Sequence, residues 1–248
     1  MSAFYFGPAG RQLYGYFHDA GYTATGATLI CPPWGREYQN SHRTMRVLAR
    51  QLAERGHHVL RFDYSGAGDS WGETTDADLE HWHADTMLAA RELRTLSGSD
   101  RVTLVGLRLG AYIAASAAAT LPGVDGILLW DPVIDGSLWV REVSGARPQA
   151  VSPDGEVEFG CLPVSKCFHE QVSNLASPDL DVLARQRTLV LTSYDGELTT
   201  ATSDRFGNVG IPVEHIPDIT PWIGDLAIDH GQLPTRVLRR VLDWYSGG

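Results

Sequence analysis

R-V-T-L-V-G-L-R-L-G-A-Y-I-A-A-S-A-A, residues 101–118, runs from a valine-rich strand into an alanine-rich helix across a turn flanked by glycine. The strand half is apolar and carries residues that favour extended backbone. The helix half is apolar on almost every side, so it lacks a solvent face and belongs against a sheet. Gly106 and Gly110 bracket the reversal. Without Cβ atoms, they let a strand and the following helix approach closely. Pro122-Gly123 ends the helix.

Similar units lie on both sides. Upstream, T-G-A-T-L-I-C (25–31) reads as a strand stopped by Pro32-Pro33. Ser41 is the expected cap of a helix running to about Gly56, with Met45, Leu48, Ala49, Leu52 and Ala53 as its apolar stripe. H-V-L-R-F-D-Y (58–64) is the next strand, and the glycine-rich turn S-G-A-G-D-S follows it. A second long helix covers roughly 79–96. Downstream, G-I-L-L-W from Gly126 is a strand ending at Asp131-Pro132, T-L-V-L-T-S from Thr188 is another, and a short one lies near 213–216. A terminal helix spans about 234–245, and two short antiparallel strands fit the aromatic opening from Phe4 to His18.

Alternating strands and helices predict an α/β fold, a mostly parallel, doubly wound sheet. The regularity lapses from Val133 to about Ala184, where Gly, Pro, Ser and acidic residues dominate. A segment of that length has a job or a fold of its own, and it reads as an inserted cap with a helix near 164–174. The expectation is one domain over 1–248 with the cap at about 133–184. Ligand sites in such sheets lie at the carboxyl ends of the strands. That rule selects 31–38, 63–71, Arg108, Asp131, Asp195 and 217–230.

Composition narrows the function. Thirty acidic against twenty basic residues give a formal charge of -10, which argues against a broad nucleic-acid surface. Lys166 is the only lysine, and no phosphate-binding G-x-x-x-x-G-K-[ST] motif is present. Cys31, Cys161 and Cys167 are too few and scattered for a disulfide framework. Cys161, Cys167 and nearby His169 match no strong zinc spacing, so neither metal nor cofactor is expected. No stretch is long and apolar enough for a membrane span, and the N-terminal sequence does not look like a signal peptide; the expected location is cytoplasmic.

Gly106-Leu107-Arg108-Leu109-Gly110 has the architecture of a nucleophile elbow, the G-x-S-x-G turn that presents a serine above such a sheet. Its third position holds Arg108, which stays protonated and cannot attack a carbonyl. With C-P-P-W-G-R-E (31–37), S-H-R (41–43), R-F-D-Y-S-G-A-G-D-S (61–70) and G-L-R-L-G-A (106–111), the chain resembles the α/β-hydrolase superfamily over nearly its whole length. L-L-W-D-P-V-I-D-G (128–136) adds a resemblance to a bacterial subgroup with G-L-R-L-G in place of the serine elbow. That subgroup is associated with biosynthetic, polysaccharide-export or exosortase systems.

The resemblance implies site residues position by position. Asp195 matches the acid and His230 the base, with Pro221-Trp222 as an alternative occupant of the base position. Trp34 and Gly35 match the oxyanion loop, and Leu109 supplies its second amide. Arg108, at a helix start that repels cations, requires a negative partner. Asp131, Asp195 and Glu37 are internal candidates, and a substrate carboxylate or phosphate is the external one. Glu37 is also a candidate for substrate contact. Cys31 is read as a small hydrophobe or, given a stabilised thiolate, a nucleophile. Trp34, Trp71, Trp139 and Trp222 are expected on one aromatic rim.

The resulting expectation is an enzyme working without a serine nucleophile on a small acyl or carboxylate-bearing intermediate, anionic or carrier-linked. Arg108 anchors an oxygen, and Asp195, His230 or Glu37 supplies the acid or base. The rival is a catalytically silent member that binds a metabolite or a protein. Oligomeric state is not legible in the chain.

Overall fold

The computed structural model describes residues 1–22, 24–145, 152, 156–160, 162–220, 222 and 232–247. Its chain order begins β1 (Ser2–Phe6), β2 (Leu13–His18), β3 (Gly26–Cys31), α1 (Gly35–Ala53), β4 (His57–Phe62), α2 (Leu79–Ser97), β5 (Val102–Leu107), α3 (Leu109–Ala118) and β6 (Val124–Trp130). The inserted region holds α4 (Gly136–Ser144), the hairpin β7 (Val157–Phe159) and β8 (Leu162–Val164), α5 (Lys166–Ser173) and α6 (Leu180–Ala184). The sheet resumes with β9 (Thr188–Thr192), α7 (Glu197–Gly207) and β10 (Val213–His215), and α8 (Thr235–Ser246) follows.

Eight strands form one sheet in the order β1-β2-β4-β3-β5-β6-β9-β10. β1–β2 and β2–β4 are antiparallel and the remaining pairs parallel, as the alternation of strands and helices requires. Register aligns Cys31 with Gly106, and Leu107 with Trp130, so the carboxyl ends of β3, β5 and β6 share one edge.

Both faces of the sheet are covered. Met45, Leu48, Ala49 and Leu52 of α1 join Val237, Val241 and Leu242 of α8 over one face, with Trp130 and Leu128 beneath. The alanine-rich α3, with Ala89, Ala90 and Leu93 of α2, covers the other. The two elbow glycines are sterically required. A Cβ on Gly106 would lie 2.4 Å from Ala111 Cα, and one on Gly110 would lie 2.3 Å from both the Cys31 and Pro32 carbonyl oxygens. The end of β3, the elbow and the start of α3 are therefore locked together.

One local expectation is corrected, and one helix was not expected. α1 starts at Gly35, so Ser41 is buried inside the helix and bonds back to the Tyr38 carbonyl oxygen at 3.3 Å instead of capping it. Trp34 is extended, and Gly35 at φ 64 turns the chain into the helix immediately after Pro32-Pro33. α7 was not anticipated, because its T-T-A-T-S-D run has little apolar periodicity.

Candidate active site

Arg108 sits at the junction of β5 and α3 with φ 56 and ψ -123, the N-cap of α3. Asp131, one residue beyond β6, has φ 44, and these two are the only described non-glycine residues with positive φ. Each such conformation costs about 1–3 kcal/mol and persists where its surroundings enforce it, commonly at functional sites. Here backbone bonds do the enforcing. The Arg108 amide donates to the Trp130 carbonyl at 3.0 Å, and the Asp131 amide donates to the Leu191 carbonyl at 2.8 Å.

The Arg108 side chain is fully buried and its guanidinium bonds are split between two environments. Nε donates to Glu37 Oε1 at 2.8 Å, and Trp139 Nε1 donates to the same oxygen at 3.1 Å. Glu37 lies in the first turn of α1 and is itself buried. Along the other edge, Nη2 donates to Glu142 Oε1 at 2.7 Å and Nη1 donates to Tyr194 Oη at 2.8 Å. Tyr194 Oη in turn donates to Glu142 Oε2 at 3.0 Å. Glu142 comes from α4 and keeps 25% of its side chain exposed. Burial by itself would lower the guanidinium pKa; Glu37, Tyr194 and Glu142 outweigh burial and hold it above its ordinary value. Arg108 is a permanent cation. Glu37 Oε2 is buried and has no hydrogen-bond partner among the described residues.

The remaining candidates fall into three groups. Asp131 is next to Arg108 but turned away. Its carboxylate accepts from the Ser193 amide (2.6 Å), Ser193 Oγ (2.5 Å) and Trp222 Nε1 (3.1 Å), and only its carbonyl meets Arg108, at 3.5 Å. Burial lifts the Asp131 carboxyl to about 6 against those three donors. Asp195 does not join the cluster: its side chain is 95% exposed and lies 3.4 Å from His215 Nε2. That removes it as a partner of Arg108, because the chain turns outward after Tyr194. His230, like Cys161 and Pro221, lies outside the described residues.

Cys31 is completely buried, and burial pushes its thiol up to about 12, which leaves no thiolate at neutral pH. The expected aromatic rim is instead a packed core. Trp34 stacks on Phe159 (5.5 Å between centroids) and tilts against Phe168 (5.3 Å), Trp139 meets Phe159 at 5.2 Å, and Trp82 meets Phe168 at 5.1 Å. Trp222 is buried against Trp130 on the other face, and Trp71 is 48% exposed. Leu109 is buried at the start of α3, and Gly35 opens α1. Tyr194 and Glu142 were missed by sequence reasoning. Tyr194 follows a strand end and so had a positional signal, whereas Glu142 comes from the inserted region and had none.

Residues 38–188, well over half of the chain and including the elbow, match the family described as serine aminopeptidase, S33. The chain belongs to that family. Within the curated proteins, human Protein ABHD12B is 34% identical over 108 residues, covering 42% of this chain and 28% of that protein. The matched part thus spans little more than a quarter of that relative's length. Among solved structures, Est1E from Butyrivibrio proteoclasticus with ferulic acid bound has a TM-score of 0.71 at 16% identity, covering 98% of this chain and 100% of Est1E. XC6422 from Xanthomonas campestris, a serine hydrolase without a lid, has a TM-score of 0.61 at 18% identity, covering 98% and 94%. These two likenesses bear on the fold, which is that of the α/β-hydrolases.

Membership in the S33 family corrects three expectations. The chain does not stand in a separate non-serine subgroup, its family being one of serine hydrolases. The expectation of an enzyme class that dispenses with a serine nucleophile is overturned by the same match. The elbow is not atypical in build either: its glycines and positive-φ residue are those the strand-to-helix turn demands, and Arg108 is a side-chain substitution upon it. The S33 match supports the expectation of an enzyme of the α/β-hydrolase class. No described helix is long and apolar enough to cross a membrane.

Proposed function

We propose that the chain hydrolyses a small ester or amide carrying a carboxylate, free or carrier-linked, and that Arg108 reads that carboxylate. Membership in the serine aminopeptidase S33 family supports the reaction class. The observation that carries the recognition is the split environment of the guanidinium. Its Nε edge is committed to buried Glu37, while its Nη edge meets partly exposed Glu142 and Tyr194. A substrate carboxylate would replace Glu142 in kind, one carboxylate for another, with Tyr194 Oη free to donate to it. Arginine's planar fork suits that bidentate exchange. Glu37 Oε2 offers an acceptor to a donor group on the same substrate. In this reading the region 133–184 acts as a cap that carries Glu142 over the elbow. Est1E, of the same fold, holds ferulic acid, so this architecture can accommodate a small acid. The free thiols of Cys31 and Cys167 suit a reducing, cytoplasmic setting.

The test compares p-nitrophenyl hemisuccinate with neutral p-nitrophenyl butyrate, in the parent protein and in Arg108→Met. The anionic ester should be preferred by about tenfold or more, and Arg108→Met should abolish the preference. Glu142→Gln should lower KM for the hemisuccinate by removing the internal competitor. In parallel, a fluorophosphonate probe is applied and its adduct mapped by mass spectrometry. Position 108 supplies no nucleophile, so the labelled residue identifies the attacking group. Equal turnover of the two esters refutes the recognition half. Absence of both turnover and labelling refutes the hydrolytic half.

A further inference from the structure

The outer face of the layer formed by α1 and α8 is basic, although the chain carries a formal charge of -10. The two helices hold seven arginines against two carboxylates, and one of those, Glu37, is buried on Arg108. Arg43, Arg46 and Arg50 recur at spacings of three and four, which sets them in one row along α1, opposite its buried Met45, Leu48 and Leu52. All three are exposed. Arg236 and Arg239 extend the same surface on α8, which packs beside α1.

Carboxylates are plentiful in this chain, and surface arginines elsewhere use them: Arg101 meets Asp125, and Arg141 meets Glu197. Arg43 and Arg46 form no ion pair with any described residue. Arg50 meets only Glu54, at 3.5 Å and in solvent. The row also leads to the site. The first turn of α1 holds Glu37 against Arg108, so the row begins about 9 Å from Glu37 along the helix axis and ends about 20 Å from it.

The surroundings of the row select among polyanions. Lipid binding by a surface helix adds an apolar contact, and none of the large exposed apolar side chains among the described residues lies on α1 or α8. A bilayer or a nucleic acid is also extended and would face the acidic remainder of the chain. A compact acidic protein meets the row alone, because charges beyond about 8 Å are screened at physiological salt. Guanidinium forks suit carboxylates in particular. We propose that the α1–α8 face docks a small acidic carrier protein, with Arg43 and Arg46 paired to its carboxylates and its substrate-bearing arm passing the first turn of α1 toward Arg108. The carrier's role as substrate donor rests on the carrier-linked form of the function proposed above; the docking contact is measured without turnover.

Fluorescence anisotropy of a labelled acyl carrier protein tests the docking, with co-sedimentation on phosphatidylglycerol vesicles as the lipid comparison. The carrier protein should bind the parent at about 50 mM NaCl and weaken about tenfold or more by about 300 mM. Arg43→Glu combined with Arg46→Glu should weaken it about tenfold or more. Arg91→Glu combined with Arg185→Glu makes the same charge change on exposed positions across the sheet and should alter binding by about twofold at most. Circular dichroism melts establish that each variant is folded. Turnover of a hemisuccinyl carrier protein and of free hemisuccinyl-N-acetylcysteamine is then compared. The Arg43 and Arg46 reversal should raise KM for the first and leave the second unchanged. Turnover of the free thioester without carrier binding overturns the docking and leaves the reading of Arg108 standing. Carrier binding that needs Arg43 and Arg46, with neither substrate hydrolysed, supports the docking and refutes the hydrolytic reading. No carrier binding, equal losses in the two double variants, or vesicle binding as tight as carrier binding would each overturn the assignment.

Discussion

Replacing Glu37 by glutamine removes one charge from the middle of the Arg108 cluster and changes almost nothing in shape. Glu37 and Arg108 are both buried and meet at 2.8 Å, and Trp139 donates to the same carboxylate oxygen. Breaking a buried ion pair by neutralising one partner costs about 3–5 kcal/mol, because the surviving charge is left in a low-dielectric site. Glutamine keeps a carbonyl for Arg108 Nε, and Glu142 remains on the opposite edge, so the lower end applies, about 3 kcal/mol. For a chain of this size that corresponds to a fall in Tm of about 6–12 °C. Glu142→Gln, with its carboxylate partly in solvent, should cost only about 1 kcal/mol. Urea denaturation followed by circular dichroism measures all of these without adding ions. The double replacement Arg108→Met with Glu37→Leu should recover part of the Glu37→Gln loss, because an apolar pair removes both desolvation costs, while the buried Trp139 Nε1, which loses its acceptor, keeps the variant about 1–3 kcal/mol below the parent. If Glu37→Gln is no less stable than the parent, or Glu142→Gln loses as much, the pair is not the buried electrostatic centre described here.

Two further outcomes follow from other parts of the molecule. His18 is neutral in the fold, with its pKa held at about 4 against an ordinary value of 6.5, so falling pH favours the unfolded chain, which takes up the proton first. Its contribution is whole above about 6.5, falls away between there and about 4, and changes no further below; a His18→Leu variant should lose less stability across that window in urea melts at stepped pH. Gly110→Ala should abolish soluble expression, since the new Cβ would meet two backbone carbonyls at 2.3 Å. Gly98→Ala, with open space but φ 69, should cost only about 1–2 kcal/mol in the same denaturation assay.

Much of the architecture could be read from local pattern. The strand and helix periods, the proline stops and the paired glycines around Arg108 are properties of neighbouring residues, and they predicted the parallel sheet and the elbow. The same neighbours misplaced the start of α1, because a serine before an apolar stripe imitates a cap. In the structure a positive-φ glycine had already begun the helix six residues earlier. α7 was silent because its residues are polar and its helix rests on the packing of Leu198 and Phe206.

At the site, the chain by itself determined that position 108 carries a cation requiring a negative partner, because arginine is charged at any ordinary pH. It did not determine which partner. Asp131, Asp195 and Glu37 are equivalent in the sequence, since strand ends bring all three near one edge and sequence does not specify where a carboxylate points. Tertiary structure decided it through direction. The Ser193 amide and hydroxyl with Trp222 capture Asp131, the chain turns Asp195 outward, and the first turn of α1 aims Glu37 at Arg108. Glu142 is paired with Arg108 across 34 residues of sequence, by a helix whose position depends on the packing of Trp139 and Phe159 beneath it. Such pairings arise from side-chain direction and long-range packing, and neither is encoded in any single stretch of the chain.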